Sequence, residues 1–148
     1  MPERKPPKSK YTVDRQIPGA FEGETVNLSN IRVPMFVVGT ETDHVAPWKS
    51  VYKVGGLVTS PEFTFLLTSG GHNAGIVSGP AHPKRRHRVR TLRGGEAPLP
   101  ADEWFATTEA KPGSWWPTWA EWLKAHSSPE RIAPPEMGAP NDGYKPLG

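Results

Sequence analysis

Two short apolar runs, separated by a segment with the pattern of a helix, constrain the fold of this chain most strongly. The first run covers residues 31–39 and the second covers residues 63–67. Runs of this length that are rich in branched and aromatic side chains are typical of buried strands. Between them, Pro47 suits the first turn of a helix and Gly55-Gly56 suits its end. The order strand, helix, strand predicts a βαβ unit with two parallel core strands, and therefore the α/β class.

The remaining segments predict the domain organisation. Residues 1–10 are basic and proline-rich, which indicates a disordered lead-in, and residues 127–148 are proline-rich, which indicates an extended tail. Residues 11–126 then form the predicted domain. Within it we predict a glycine-rich loop over residues 68–75, an exposed strand over residues 86–90 and a short helix over residues 100–109.

A tryptophan-rich helix is predicted from Trp115 to about His126, with Ser114 as its N-cap. Trp115, Trp119 and Trp122 fall on one face of this helix, which favours a core-facing helix that anchors the C-terminal half. Base stacking or sugar binding by the tryptophans is the less favoured interpretation.

The composition excludes several classes of protein. The chain contains no cysteine, so it holds no disulfide scaffold, zinc–thiolate site or cysteine nucleophile of its own. No apolar run approaches the roughly 18 residues of a membrane helix, and the first residues lack the apolar stretch of a signal peptide. We therefore expect no membrane span and a cytoplasmic location.

Polar loops follow both apolar runs. The first loop carries Glu41, Asp43 and His44, and the second carries His72. The carboxyl ends of parallel strands meet at one edge of a sheet, where open α/β sheets place their ligands. A histidine can deprotonate a nucleophile when a carboxylate holds its other ring nitrogen, and acid before histidine is the chain order of α/β-hydrolases. Asp43 and His72 are therefore the candidate catalytic pair.

The nucleophile of such a triad is not found in this chain. Neither Gly-x-Ser-x-Gly nor its cysteine equivalent occurs in the sequence. We therefore expect this chain to be the back end of a larger enzyme.

A basic segment follows the second loop. No acidic residue lies between Phe63 and Gly95, and this stretch includes Lys84, Arg85, Arg86, Arg88, Arg90 and Arg93. It predicts either a solvated face or a site that attracts phosphates. Nucleic acid is not expected, because no aromatic residue interleaves with the arginines. The spacing of His82 and His87 is unlike that of zinc ligands, so we expect no metal, and no cofactor is expected either.

Four motifs, in order, resemble the C-terminal part of the poly(3-hydroxyalkanoate) synthases, which belong to the α/β-hydrolase superfamily. They are LSNIRVP (28–34), TDHVAPWKS (42–50), SGGHNAGIV (69–77) and GSWWPTWAEWL (113–123). The resemblance departs at Thr42, where the family often has Glu, and at residues 78–80, where it often has Asn-Pro-Pro.

The resemblance implies a Cys-Asp-His triad that transfers 3-hydroxyacyl groups from coenzyme A thioesters to a growing polyester. It assigns Asp43 and His72 to the triad and makes residues 11–126 the C-terminal part of the catalytic domain. The cysteine would lie in an upstream part of the same enzyme, so the chain alone is expected to be inactive. The implied partners are that upstream part, 3-hydroxyacyl-CoA, the polyester granule and a second copy in a homodimer.

Further roles are expected on the same basis. Arg85, Arg86 and Arg88 would attract the phosphates of coenzyme A, and Trp48 would line an acyl pocket. The alternatives are a fragment of another α/β-hydrolase, such as a thioesterase or polyester depolymerase, and a non-catalytic module that binds granules or another subunit.

Overall fold

The computed structural model describes residues 27–133 apart from Pro83. The predicted lead-in and most of the predicted tail lie outside these residues. Within the described part, single 3₁₀ turns cover Leu28–Asn30 and Lys53–Gly56. The strands and α-helices are, in chain order, β1 (Met35–Thr40), α1 (Trp48–Tyr52), β2 (Glu62–Thr68), α2 (His72–Ile76), β3 (Arg86–Arg93), α3 (Ala101–Thr107), β4 (Ala110–Pro112) and α4 (Trp116–Ala125).

The described strands form one mixed sheet in the order β1-β2-β3-β4. β1 and β2 are parallel and in register from the pair Met35–Phe63 to the pair Thr40–Thr68, with α1 between them. This confirms the predicted α/β class and the two parallel core strands. β3 is antiparallel to β2, and β4 is antiparallel to β3. The predicted strand over residues 86–90 therefore exists, but it lies inside the sheet rather than exposed, and His87 on it is buried.

The core lies between the sheet and helices α1 and α3. Phe63, Phe65 and Leu67 alternate along β2 and pack against Tyr52 and Trp104. The intervening residues of β2 are buried as well, because α4 covers part of the opposite face through Trp122, whose ring lies 5.5 Å from that of Phe36. Burial on both faces explains why β2 places apolar side chains on both of its faces, as at Leu66 and Leu67. The predicted short helix that carries Trp104 and Phe105 is confirmed as α3.

Two helical predictions need correction. The predicted glycine-rich loop ends at Gly71, because residues His72–Ile76 form the helix α2. α4 is present, but it is not the predicted core anchor: none of its residues is buried, and Trp119 and Leu123 are 40% and 38% exposed. Of the three tryptophans on the predicted face, only Trp115, just before the helix, is buried. The aromatic core is instead formed on the other face of the sheet. There, α1 and α3 pack against the side chains of β2 that point toward them.

No helix within the described residues is long and apolar enough to cross a bilayer.

Candidate functional site

The loops that follow β1 and β2 are held side by side by their backbones. Pairing continues beyond the strands, since the Glu41 N–H donates to the Thr68 carbonyl at 2.9 Å and the Thr42 N–H donates to the Gly70 carbonyl at 3.1 Å. Parallel strands in register thus bring the first turn after β1 next to the first turn after β2. This arrangement places Asp43 beside His72.

The Asp43 carboxylate is fixed by four hydrogen bonds. Its Oδ1 atom accepts the backbone N–H groups of Val45 and Ala46, each at 2.9 Å. Its Oδ2 atom accepts the Thr40 hydroxyl at 3.3 Å and the Nδ1–H group of His72 at 2.9 Å. Aspartate commonly bonds backbone N–H groups two and three residues further along in this way. The side chain is only 7% exposed, so its orientation is set by the protein rather than by water.

The bond to Asp43 decides the chemistry of His72. An ionised carboxylate can accept hydrogen bonds but cannot donate them, so the His72 Nδ1 atom carries the hydrogen of this bond. In the neutral ring, Nε2 is then the nitrogen that can accept a proton. No described residue bonds Nε2, and the side chain is 49% exposed. The arrangement therefore presents a base at the edge of the sheet, oriented by a buried carboxylate, as a nucleophile-activating pair requires.

The same contacts lower the pKa of the Asp43 carboxyl well below its ordinary value of 3.8. The bond from the Ala46 backbone N–H is the largest cause, and burial of the carboxyl opposes it. The bond from His72 and the bond from the Val45 N–H lower the pKa further. Asp43 is therefore charged throughout the neutral range.

This lowered pKa predicts acid-dependent stability. A carboxyl group whose pKa is lower in the folded than in the unfolded protein stabilises the fold above its unfolded pKa and loses that contribution as the pH falls toward the folded value. We expect the free energy of unfolding, measured with urea between pH 7 and pH 2, to fall below about pH 4. Asp43→Asn should flatten this slope, whereas Glu103→Gln, at an exposed position, should retain it. An unchanged slope in Asp43→Asn would contradict the prediction.

Two arginines of the basic segment bond neighbouring groups of the protein, which the charge of the segment did not predict. Arg85 bonds three neighbouring groups around α2, and Arg88 donates to the Thr108 carbonyl and lies 4.4 Å from the centre of the Phe105 ring. A purely solvated face is therefore wrong for these two residues. Arg86 pairs with Glu41 at 2.6 Å but keeps a side chain that is 54% exposed. Their expected role at coenzyme A phosphates stays a prediction.

Two other candidates have structural contacts. The Trp48 ring packs 6.1 Å from Trp104 and 5.8 Å from Phe105, within the aromatic core. Its place in an acyl pocket stays a prediction. His87 is buried, with its ring nitrogens 3.2 Å from the Gly113 carbonyl and 3.2 Å from the Thr118 hydroxyl. No group of three or more His, Asp or Glu side chains in the described residues is arranged to hold a metal.

Sequence reasoning missed the residues that support the pair. The sequence pattern places Thr40 only at the end of a strand, although its hydroxyl bonds Asp43. A Thr three residues before an Asp in a turn is the local signal that could have identified it. The contacts that hold α2 come from residues far away in the sequence, and no local pattern reveals them.

Comparison with known proteins identifies relatives, although no protein-family model matches the chain. The chain is 33% identical over 125 residues to the poly(3-hydroxyalkanoate) polymerase subunit PhaC of Cupriavidus necator, covering 83% of this chain and 20% of that protein. It is 37% identical over 107 residues to the poly(3-hydroxyalkanoate) polymerase of Methylorubrum extorquens, covering 72% and 17% respectively. It is 31% identical over 126 residues to poly(3-hydroxyalkanoate) polymerase 2 of Ectopseudomonas oleovorans, covering 85% and 21%.

The chain spans about a fifth of the length of the curated relatives it matches. The similarity lies in their C-terminal part, which confirms the resemblance inferred from the four motifs. It also agrees with the assignment of the sheet to the α/β-hydrolase fold.

Proposed function

We propose that the chain supplies the acid and the base of a poly(3-hydroxyalkanoate) polymerase, with His72 as general base and Asp43 as the group that orients it. The observation that carries this proposal is the 2.9 Å bond between His72 Nδ1 and Asp43 Oδ2, formed where two parallel strands end. The similarity to the C-terminal part of such polymerases supports the same assignment.

The proposed reaction is covalent catalysis by a cysteine outside these residues, because the chain contains none. His72 Nε2 takes the thiol proton, and the thiolate attacks the thioester carbonyl of 3-hydroxyacyl-CoA. The bond to coenzyme A breaks, and the imidazolium returns the proton to the departing coenzyme A thiolate. His72 then deprotonates a 3-hydroxyl group, whose oxygen attacks the acyl-enzyme. An ester bond forms, and the cysteine thiolate leaves and regains the proton.

The sheet edge beside Asp43 and His72 offers a place where the part of the polymerase that carries the cysteine could bind. β1 is the edge strand of the described sheet, and its outer backbone groups face no other described strand. Unpaired strand edges bind further strands, so the nucleophile-bearing part of the polymerase is proposed to pair there. The Arg86 guanidinium pairs with Glu41 in the loop after β1 and stays half-exposed there, so it remains accessible for its proposed attraction of coenzyme A phosphates. The polyester granule and a second copy of the complete enzyme are partners proposed from the resemblance.

The proposal is tested in a chimera in which this chain replaces the matched C-terminal part of a relative's polymerase. Coenzyme A release and polymer formation from 3-hydroxybutyryl-CoA are measured. We expect activity with the unchanged chain, and a loss on the order of 10²–10⁴-fold in His72→Ala, which is the usual contribution of a general base.

The matched control is His44→Ala, which removes an exposed histidine next to Asp43. It should retain activity. Equal activity in His72→Ala and His44→Ala would contradict the proposed base. Release of free 3-hydroxy acid without polymer would instead favour a thioesterase or depolymerase.

A further inference from the structure

α2, the helix that begins with His72, cannot be stable by itself. It has five residues, among them Gly75, and isolated helices shorter than about 12 residues are marginal in water. The last carbonyl groups of any helix also lack partners within the helix. In this chain, side chains from two distant segments supply donors to those carbonyls and to the carbonyl of Ser78, just beyond the helix.

Four side chains make these bonds, and we refer to them together as the α2 frame. They are Arg85, which donates Nη2–H to the Ala74 carbonyl at 2.8 Å; Trp115, which donates Nε1–H to the Gly75 carbonyl at 3.0 Å; Trp116, which donates Nε1–H to the Ile76 carbonyl at 2.9 Å; and Ser114, which donates its hydroxyl to the Ser78 carbonyl at 2.6 Å. Three consecutive carbonyls of α2 are thus each bonded by a different side chain.

Arg85 connects α2 to the segments on both sides of it. Its Nε–H group donates to the Ser78 hydroxyl at 2.7 Å, and its Nη1–H group reaches the Ser69 carbonyl at 3.4 Å. The rigid guanidinium fork can make such bonds simultaneously, which a lysine ammonium cannot reproduce. The end of β2, the helix and the turn after it are therefore held by one side chain.

The residues of the frame are also fixed relative to one another. The Gly113 N–H donates to the Arg85 carbonyl at 2.7 Å, which ties the two segments together. The Ser114 hydroxyl accepts the Trp116 N–H at 3.1 Å, and Trp115 is buried. α2 is consequently held by these mutually bonded side chains as well as by its own backbone bonds.

We propose that Arg85, Ser114, Trp115 and Trp116 are positioning residues for the base, because they hold α2 where the His72 Nδ1–H group meets Asp43. A neutral imidazole can carry its hydrogen on either nitrogen, and in this site only the bond to Asp43 selects Nδ1. A displacement of α2 by about 1 Å stretches that bond beyond hydrogen-bond range. The catalytic importance of the frame rests on the proposed function, whereas its effect on the His72 tautomer does not.

The test measures the His72 tautomer by ¹⁵N NMR on the full 148-residue chain labelled at histidine, with the signal assigned through His72→Gln. In the unchanged chain we expect the Nδ1–H tautomer. In Trp116→Phe, which removes the donor to the Ile76 carbonyl but keeps an aromatic ring, we expect loss of the protected Nδ1–H signal and a shift toward the Nε2–H tautomer.

Trp122→Phe is the matched control, because Trp122 lies on the same helix but donates its Nε1–H group to Glu62 rather than to α2. It should keep the Nδ1–H signal. Arg85→Lys provides a second variant, should Trp116→Phe fail to fold, and it is expected to lose the signal as well. An unchanged signal in folded Trp116→Phe or in Arg85→Lys overturns the proposed frame. A wild-type chain without the Nδ1–H tautomer would instead count against the Asp43–His72 pair and the proposed function.

Discussion

Asp43→Asn is expected to lower the turnover of a polymerase completed by this chain by about 10³–10⁴-fold. The reason lies in the donors that surround the side chain. The N–H groups of Val45 and Ala46 both point at Oδ1, so the asparagine carbonyl oxygen takes that place and its NH₂ group faces His72. An NH₂ group donates, which forces the His72 Nδ1 atom to accept and moves its hydrogen to Nε2. The ring then presents a hydrogen where the base is needed.

This expectation is measured as kcat in the chimeric polymerase, together with the unfolding free energy at neutral pH. Asp102→Asn serves as the control, because Asp102 pairs with Lys49 at an exposed position away from the pair. It should leave kcat within a few-fold of the unchanged enzyme. A decrease of less than ten-fold in Asp43→Asn, or an Nδ1–H tautomer that persists in that variant, would contradict the orienting role of Asp43.

The sequence predicted the parts of this site that depend on local patterns. β1 and β2 have short apolar runs bounded by polar residues, and their length and their branched and aromatic residues favour strands over helices. Once the two strands are parallel, geometry alone brings the turns that carry Asp43 and His72 to one edge. Their juxtaposition therefore followed from strand order and did not require knowledge of side-chain contacts.

α2 could not be predicted because its stability is not local. Gly75 disfavours a helix, and bonds that stabilise it come from Trp115 and Trp116, each 40 positions from its partner. The predicted core-facing tryptophan stripe is therefore only partly present. Trp115 is buried with its indole N–H group on α2, and the Trp122 ring lies 5.5 Å from that of Phe36, but Trp119 is left 40% exposed.

The basic segment departs from its prediction for a related reason. Charge density predicts a field but not the partners of individual groups. Arg85 bonds backbone and hydroxyl groups that the sequence places on either side of His72, and Arg88 lies over an aromatic ring. Arginine combines a permanent charge with a planar donor fork, so it serves equally well as a structural clamp and as an anion site.

Gly75→Ala is expected to displace α2 and to lower kcat in the chimeric polymerase by on the order of 10²-fold, since a misplacement near 1 Å can cost that much. A Cβ atom at this position would lie 2.5 Å from Thr40 Cγ2, 3.0 Å from Thr40 Cβ and 3.2 Å from the Ser69 carbonyl oxygen. Thr40 is a buried, β-branched residue of β1, and it cannot rotate away without giving up its bond to Asp43. The helix must therefore move, and His72 moves with it.

The sign of the stability change depends on two opposing effects of the added methyl group. Alanine improves helix propensity over glycine by up to about 1 kcal/mol, whereas overpacking of a tight contact costs about 1–3 kcal/mol. Because the approach to a rigid neighbour is only 2.5 Å, overpacking outweighs the gain in propensity, and urea unfolding should show a net loss of stability. Gly79→Ala is the matched control, because its Cβ atom would meet nothing closer than a Trp116 ring atom at 3.8 Å. If Gly75→Ala matched Gly79→Ala in both kcat and stability, close packing of α2 on β1 could not be what positions the base.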